Sequence, residues 1–373
     1  MKIGITCYPT YGGSGVVATE LGKKFAQMGH EVHFITYALP YRLNRFTANL
    51  FFHEVEVLKY PLFEYPPYSL SLASKMAEII ESANLDILHV HYAIPHATSA
   101  YLAREMTEKK DFKFITTLHG TDITLIGSDP SYIKIVKFSI EQSNGVTAVS
   151  DFLKKETEST FQIKNDIRVI PNFIPDDFLE IRDSKSVKPY CVSDDEFVLT
   201  HISNFRPLKR VHELIPVVEE LSKKFKFKLL MVGDGPERYR VEKECREKGL
   251  CKYILFLGKQ ENISEILAGT DVFLLPSENE SFGLAVLEAM ACGVPCVSTN
   301  AGGLPEVNIH GETGFTVDIG DTRAFAGYVS RLLEDKDLRI SFGKNARELA
   351  VSKYNADKVV PLYLDYYNEI LNR

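Results

Sequence analysis

Strand-like and helix-like segments alternate along the whole chain, and this alternation is the feature that most limits its fold. The short apolar segments lie at residues 2–8, 31–36, 86–91, 113–118, 145–149, 166–170, 197–203, 228–232, 253–257, 272–275, 296–298 and 314–317. Between them the apolar residues recur with helical spacing, most clearly over 15–28 and 356–371. Such alternation is typical of parallel sheets covered by helices. The sequence therefore predicts an α/β protein with doubly wound, Rossmann-like sheets.

The alternation is interrupted once, over residues 172–193, where prolines and mixed charges indicate a linker. We expect an N-terminal Rossmann-like domain over 1–172, completed by 355–373, and a C-terminal one over 190–354. The carboxyl ends of the two sheets would meet at a central cleft, where ligands of such folds bind. The last helix would pack back on the N-terminal domain.

Composition excludes several classes of partner. The 373 residues carry a net charge of −7, which gives no electrostatic footprint for nucleic acid or an anionic membrane. No apolar run is long enough to cross a bilayer, and the N-terminus lacks the apolar core of a signal peptide. The six cysteines contain no Cys-x-x-Cys pair, which favours free thiols. We expect a cytoplasmic protein, with the oligomeric state left open, a homo-oligomer included.

A glycine-rich loop, residues 12–15, follows the first strand. Gly13, Gly15 and Ala18 match the dinucleotide pattern G-x-G-x-x-A, so an NAD-dependent oxidoreductase has to be considered. That class needs an acidic residue after the second strand to bind the ribose. The chain has Thr-Tyr-Ala at 36–38 instead. A loop that binds another anion, a diphosphate or a carboxylate, fits better; a tight turn without a ligand is the plainer alternative.

Two carboxylates eight positions apart, Glu280 and Glu288, flank the start of an apolar segment. At 3.6 residues per turn they would lie near the same face of one helix. Ser281 and Gly283 would expose backbone N–H groups at its start, where phosphate binds. The pattern predicts a site for a phosphorylated, polyhydroxylated ligand, although a glutamate pair on an ordinary helix is the plainer interpretation.

Cations follow the first strand of the second half of the chain. Arg206, Lys209 and Arg210, with Asn204 beside them, would occupy a strand-to-helix turn. Charge-assisted bonds to phosphate are among the stronger hydrogen bonds, so this turn predicts a diphosphate site. The alternative is a solvated helix start.

His119 follows the strand 113–118 and would project from the same edge as Tyr92, a candidate acceptor contact. His89 and His91 resemble a metal pair, but one strand supplies only two ligands and no third has a suitable spacing. The only Asp-x-Asp, at 335–337, lies in a polar helical connector. We therefore expect no metal and no other cofactor.

Taken together, these motifs resemble the retaining glycosyltransferases of family 4, which have two Rossmann-like domains (the GT-B fold). The block 280–295 carries the broad resemblance. The segments 117–122 and 203–206 carry the resemblance as well, and the segments 5–9, 12–15, 65–68 and 89–96 point to the members acting on L-malate in bacillithiol biosynthesis.

The resemblance implies a role for each matching position. The donor, UDP-GlcNAc, would contact Gly13, Asn204, Arg206, Lys209, Asn262, Glu280, Ser281, Phe282, Gly283, Leu284 and Glu288. The acceptor, L-malate, would contact Ser14, Gly15, Tyr92 and Thr121. The catalytic group would comprise His119, Lys209, Glu280 and Arg206. Whether Asn204 or Arg206 makes the main diphosphate contact beside Lys209 stays open.

The implied reaction is transfer of N-acetylglucosamine to the malate hydroxyl with retention, giving GlcNAc-α-malate and UDP. The departing β-phosphate oxygen would take the acceptor proton, and positive groups would stabilise the leaving group. A family 4 enzyme with another small acceptor, such as a sugar or inositol phosphate, is the nearest alternative. An NAD-dependent oxidoreductase and a non-catalytic two-lobed sugar-binding protein are the others, the last disfavoured because no signal peptide is evident.

Overall fold

The computed structural model describes residues 1–10, 12–43, 46–58, 60–127, 129–179 and 196–373. The chain divides into two compact units. Unit 1 comprises Met1–Phe173 and Ala356–Arg373, and unit 2 comprises Ile174–Asn355. Most of the predicted linker, from residue 180 onward, lies outside the described residues.

Short strands form the framework of both units. They are β1 (Lys2–Thr6), β2 (Glu31–Thr36), β3 (Leu50–Glu54), β4 (Ile87–His91), β5 (Lys113–Leu118), β6 (Gly145–Ala148), β7 (Ile167–Val169), β8 (Phe197–Ile202), β9 (Phe227–Val232), β10 (Ile254–Gly258), β11 (Val272–Leu275), β12 (Cys296–Thr299) and β13 (Gly314–Val317). The predicted strands are confirmed with small shifts at their ends, but β3 was missed. It is an edge strand with only half-buried or exposed residues, so it lacks a strong apolar signal.

Helices connect these strands. They are α1 (Gly13–Gln27), α2 (Tyr68–Ser82), α3 (Thr98–Met106), α4 (Ile133–Glu141), α5 (Asp151–Phe161), α6 (Leu214–Leu221), α7 (Arg238–Glu247), α8 (Ile263–Ala268), α9 (Leu284–Ala291), α10 (Leu304–Val307), α11 (Thr322–Glu334), α12 (Lys336–Tyr354) and α13 (Ala356–Leu371). Single helical turns cover Ala93–Ala97, Thr121–Leu125, Asp176–Phe178, Pro207–Lys209 and Val211–Glu213. In the described residues, no helix combines the length and the hydropathy that a bilayer crossing requires.

Each unit contains one parallel sheet. The order in unit 1 is β3-β2-β1-β4-β5-β6-β7, and in unit 2 it is β10-β9-β8-β11-β12-β13. The strand order reverses between β1 and β4 in unit 1, and between β8 and β11 in unit 2. These are the topological switch points, where the loops after neighbouring strands part and leave a crevice for a ligand. Both units are thus doubly wound, as predicted.

The last helix, α13, belongs to unit 1 because its tyrosines bond to the sheet. The Tyr367 hydroxyl lies 2.6 Å from Nδ1 of His89 on β4. The Tyr366 hydroxyl accepts the backbone N–H of Val146 on β6 at 2.9 Å. A Cβ at the neighbouring Gly145 would stand 2.8 Å from that hydroxyl, so only glycine fits there without a shift. The prediction that this helix packs back on the N-terminal domain is confirmed.

Unit 2 has its own apolar core between the sheet and helices α6, α7 and α11. Leu199, Leu229 and Leu274 of the sheet are fully or almost fully buried in it, together with Phe325 of α11. The predicted polar connector around Asp335 is a helix start, since its carboxylate caps α12 by accepting the N–H of Leu338 at 2.9 Å. That capping role accounts for the first acid of the Asp-x-Asp.

Candidate active site

The switch point of unit 2 contains an ion pair that joins two loops. Nζ of Lys209, in the loop after β8, lies 2.5 Å from Oε1 of Glu280, in the loop after β11. The Ser277 hydroxyl donates to the same oxygen at 2.9 Å. The two charged side chains are only 16% and 13% exposed. Lys209 is thus held by the Glu280 carboxylate, which the Ser277 hydroxyl holds in turn.

The backbone also connects these two loops. The N–H of Glu278 donates to the carbonyl of Leu208 at 2.8 Å, and the N–H of Gly303 donates to the carbonyl of Glu280 at 2.8 Å. A Cβ at Gly303 would come within 2.4 Å of the Ser281 carbonyl oxygen, so this close approach requires glycine. The loop after β11 is therefore fixed from both sides.

The prediction that Glu280 and Glu288 share one helical face is wrong. Helix α9 begins at Leu284, and its N-cap, Gly283, has a φ of +97°. Glu280 therefore lies in a non-helical turn, while Glu288 is inside the helix and 7% exposed. Gly283 supplies a left-handed conformation that breaks the helix before it can reach Glu280.

The remaining predicted donor contacts at this turn differ in exposure. Ser281 and Leu284 are half-buried. The ring of Phe282 is buried and packs edge-on against Tyr354 at 5.6 Å, so its side chain anchors the turn. The first backbone N–H groups of α9 have no acceptor within the helix. These N–H groups point out of the N-terminal end of α9, next to the loop that carries Glu280.

The cations after β8 have different partners. Arg210 has a φ of +46° and pairs with Glu213, and its Nη1 lies 3.0 Å from Oε2 of Glu278. Arg210, like Lys209, is therefore paired with carboxylates of the chain, and its contact with a diphosphate stays a prediction. Arg206 is exposed and has no ion-pair partner in the described part of the chain, and Asn204 is exposed as well. Both remain available on the loop that carries Lys209.

Asn262 lies apart, in the sheet order, from the other predicted donor contacts of unit 2. It is an exposed residue at the N-cap of α8, after the edge strand β10. Strands β9 and β8 separate β10 from β11 in the sheet order. Its role in the site stays a prediction.

The switch point of unit 1 contains hydroxyl and imidazole groups instead of an ion pair. Helix α1 begins at Gly13, two residues before the predicted start, with Gly12 as N-cap. The Ser14 hydroxyl lies 2.7 Å from the Tyr92 hydroxyl, which joins the loop after β1 to the loop after β4. A Cβ at Gly15 would stand 2.4 Å from the Tyr8 carbonyl oxygen, so Gly15 is required by packing. Gly13 is exposed.

His119 lies beside these hydroxyls and is held by a second histidine. Its ring centre is 5.3 Å from that of Tyr92, and its Nε2 lies 2.8 Å from Nδ1 of His91 on β4. Burial, with a smaller contribution from the nearby His96, lowers the pKa of His119 to about 3. The ring is therefore neutral near pH 7 and can offer one donor and one acceptor.

Asp122 shapes the loop that contains Thr121. Its carboxylate accepts the backbone N–H groups of Ala93 at 2.8 Å and Gly120 at 3.0 Å. Burial raises its pKa to about 6, against the effect of those backbone bonds. Thr121 itself is half-buried on the same loop as His119. The predicted acceptor residues thus lie on neighbouring loops, and Ser14 and Tyr92 are in direct contact.

His89 and His91, which were rejected as a metal-binding pair, are hydrogen-bonded to other side chains. Nε2 of His89 lies 2.6 Å from the Thr117 hydroxyl, and its Nδ1 is bonded to Tyr367. Within the described ranges, no group of three or more His, Cys, Asp or Glu side chains is arranged to hold a metal ion.

Sequence reasoning missed three residues that organise the two sites: Ser277, Asp122 and His201. Ser277 is the second residue after β11 and stands three positions before Glu280. Asp122 stands in the turn after His119. His201 lies inside the apolar strand β8, fully buried, with both ring nitrogens bonded. A polar residue inside or just after a buried strand was the available signal.

Comparison with known proteins agrees with this geometry. The protein-family model described as "Glycosyltransferase Family 4" matches residues 11–178, and the family model described as "Glycosyl transferases group 1" matches residues 184–349. The N-acetyl-alpha-D-glucosaminyl L-malate synthase of Bacillus anthracis is 50% identical over 372 residues, which cover 100% of this chain and 97% of the relative.

The chain belongs to glycosyltransferase family 4.

Solved structures agree on the fold. A glycosyltransferase from Rickettsia africae superposes on this glycosyltransferase with a TM-score of 0.81 at 24% identity, covering 99% of this chain and 98% of the other. Anabaena HepE, solved in complex with UDP and glucose, gives a TM-score of 0.81 at 20% identity and covers 99% of each chain. The glycosyltransferase therefore has the GT-B fold.

Proposed function

We propose that this enzyme transfers N-acetylglucosamine from UDP-GlcNAc to the hydroxyl of L-malate with retention, giving GlcNAc-α-malate and UDP. The observation that carries the proposal is the 50% identity, across the full length, to an N-acetyl-alpha-D-glucosaminyl L-malate synthase. The ion pair at the switch point of unit 2 and the hydroxyl cluster at that of unit 1 supply suitable groups for the two substrates.

Unit 2 would bind the donor. The diphosphate would replace Glu280 as the main partner of Lys209, with Arg206 and Asn204 on the same loop and the start of α9 nearby. Once released from Lys209, the Glu280 carboxylate would accept hydrogen bonds from hydroxyls of the sugar. Glu288, inside α9, would bind the uridine ribose. Preformed charges of this kind stabilise a leaving group without reorganising during the reaction.

Unit 1 would bind the acceptor. The Ser14 and Tyr92 hydroxyls, the loop of Thr121 and the first N–H groups of α1 can donate to carboxylate oxygens. His119, neutral near pH 7, would contact the sugar during its transfer. The anomeric carbon loses its bond to the β-phosphate oxygen and gains one to the malate oxygen. The malate hydroxyl proton passes to the departing phosphate oxygen.

The direct test measures UDP release from UDP-GlcNAc with and without L-malate, in buffer that contains EDTA. We expect rapid release only when malate is present, together with a glycosylated malate by mass spectrometry. Succinate, which has both carboxylates but no hydroxyl, serves as the negative control. Equal UDP release with malate and succinate, or release only with inositol phosphate or a sugar, would reject L-malate as the acceptor.

A matched pair of variants tests the role of Glu280. Glu280→Gln removes the carboxylate beside Lys209, whereas Glu278→Gln makes the same change two residues earlier, where the side chain is 56% exposed. We expect turnover to fall about 10- to 100-fold in the first variant and to change little in the second, because one lost charged hydrogen bond costs about 1.5–3 kcal/mol. Both variants should keep the wild-type circular dichroism spectrum. Equal turnover in the two variants would remove Glu280 from the site.

A further inference from the structure

His201 and Ser203 form a chain of hydrogen bonds at the end of β8. Nδ1 of His201 lies 2.8 Å from the carbonyl oxygen of Leu274 on β11, and its Nε2 lies 2.8 Å from the Ser203 hydroxyl oxygen. That oxygen also accepts the backbone N–H of Phe205 at 3.3 Å. The chain thus runs from β11, through β8, into the loop that leads to Lys209.

The positions of the protons in this chain follow from its partners. A carbonyl oxygen can only accept, so Nδ1 of His201 carries the proton. The pKa of His201 is lowered to about 4, so the ring is neutral near pH 7. Burial is the largest cause, the bond to Leu274 opposes it, and the charge of Lys209 adds to it. Nε2 is then an acceptor, and the Ser203 hydroxyl donates its hydrogen bond to it. The lone pairs of that hydroxyl remain free to accept from Phe205.

This chain of hydrogen bonds holds a loop whose backbone is under strain. Phe205 has a φ of +41°, which bulky L-residues rarely adopt, and its side chain is fully buried. Its carbonyl accepts the N–H of Glu237 at 3.0 Å. Such a conformation persists only where the surroundings over-determine it.

The opposite side of this loop is closed by two glycines. A Cβ at Gly233 would stand 1.8 Å from the carbonyl oxygen of Ser203, and one at Gly235 would stand 2.0 Å from that of Asn204. The loop backbone is therefore clamped between a glycine turn and the Ser203 hydroxyl. Asn204, Arg206 and Lys209 extend from this clamped segment.

His201 also connects the two strands whose following loops carry the ion pair. It contacts β11, the strand that leads to Ser277 and Glu280, while it sits on β8, the strand that leads to Lys209. From this arrangement we propose that His201 and Ser203 are positioning residues that set the loop after β8 for binding the donor diphosphate. This inference rests on the proposed function.

The test compares Ser203→Ala with Ser203→Thr, because the first removes the hydroxyl and the second keeps it. UDP affinity is measured by calorimetry, and the Michaelis constants for donor and acceptor are measured separately. We expect Ser203→Ala to weaken UDP binding and raise the donor KM about five- to ten-fold, the loss expected for one buried hydrogen bond. The acceptor KM should stay within about two-fold, and Ser203→Thr should restore UDP affinity to within about two-fold of wild type.

A spectroscopic measurement on the folded protein covers the case in which a His201 variant fails to fold. Nitrogen NMR of the wild-type imidazole groups should show His201 protonated at Nδ1, with an Nε2 signal that shifts in Ser203→Ala. Protonation at Nε2, or UDP affinity unchanged in Ser203→Ala, would overturn the inference. Lys209→Met separates a failure of the proposed donor site from a failure of the positioning role. If UDP affinity is unchanged in Lys209→Met as well, the donor site itself is wrong. If UDP affinity falls in Lys209→Met but not in Ser203→Ala, only the positioning role is rejected.

Discussion

The two switch points have the same topology but different chemistry. In unit 2, the loops after β8 and β11 meet through the ion pair of Lys209 and Glu280. In unit 1, the loops after β1 and β4 meet through the hydroxyls of Ser14 and Tyr92, with the neutral His119 beside them. The topology decides where a ligand can bind, and the residues after the strands decide which one. A fixed cation suits a diphosphate, whereas hydroxyls and neutral imidazoles suit an acceptor and a sugar.

The ion pair of unit 2 has a further consequence for ligand binding. Lys209 and Glu280 are both largely buried, so either one alone would be costly to leave without a partner. A diphosphate can replace the carboxylate beside Lys209, and sugar hydroxyls can replace the lysine beside Glu280. One ligand that offers both groups therefore compensates both partners at once.

Among the variants that test this comparison, Lys209→Met is expected to have the largest effect on activity. Loss of the cation that stabilises the leaving diphosphate should lower kcat/KM for the donor about 100- to 1,000-fold, or about 3–4 kcal/mol. Steady-state UDP release at saturating malate measures it. Lys209→Arg keeps the charge but not the geometry and should lose less.

The control for this change is Lys223→Met, which removes a lysine that is 65% exposed in the same unit. Its kinetics should match wild type. Full activity in Lys209→Met, with its folding confirmed by circular dichroism, would contradict the assignment of the diphosphate to this loop.

A fall in pH should destabilise the two units to different extents, and this is the next largest effect. Burial is the main cause that lowers the pKa of each of six histidines in unit 1 below the ordinary 6.5; they are His30, His53, His89, His91, His96 and His119. In unit 2, His201 is the one described histidine with such a shift. Histidines with lowered pKa contribute stability that is present above about pH 6.5 and is lost as the pH falls toward 4. Each steepens that loss by at most about 1.4 kcal/mol per pH unit.

Asp122 opposes this trend in unit 1. Its pKa is raised to about 6, so its contribution is present at low pH and is lost as the pH rises through 6. One opposing group against six histidines still leaves unit 1 the more acid-sensitive. Hydrogen exchange followed by mass spectrometry from pH 7 to 4, corrected for the intrinsic exchange rate, should show unit 1 losing protection first. Simultaneous loss in both units, or earlier loss in unit 2, would contradict the account.

The smallest effect is expected from Tyr92→Phe, which removes the hydroxyl bonded to Ser14. The acceptor KM should rise about three- to ten-fold, since one hydrogen bond is worth about 1 kcal/mol, and the donor KM should not change. Tyr101→Phe on α3, where the ring packs against Phe138, is the matched control. A donor KM that rises with the acceptor KM would show that the two switch points do not divide the substrates as proposed.

Much of the fold could be predicted from the sequence because buried parallel strands are short apolar segments with turns between them. The strands β2, β5, β11 and β13 and the helix α13 have the predicted bounds. Strand β3 could not be predicted, because an edge strand pairs through its backbone on one side and needs few apolar residues.

The site was predictable only in part. Residues that follow strands, such as Lys209 and Tyr92, could be identified from their positions. The placement of Glu280 could not, because spacing on an ideal helix assumes a helix, and Gly283 ends it with a left-handed backbone. His201 was hidden because it lies within a strand, and its partners come from residues distant in sequence or from a strained turn.

The central claim is that unit 2 alone holds the diphosphate, and UDP titration of three proteins tests it most directly. Calorimetry would compare wild type, Lys209→Met and Tyr92→Phe under identical buffer conditions. The account predicts that Lys209→Met weakens UDP binding about 10- to 100-fold, as expected for a lost charged contact, while Tyr92→Phe stays within about two-fold of wild type. Wild-type affinity in Lys209→Met, or an equal loss in Tyr92→Phe, would contradict it.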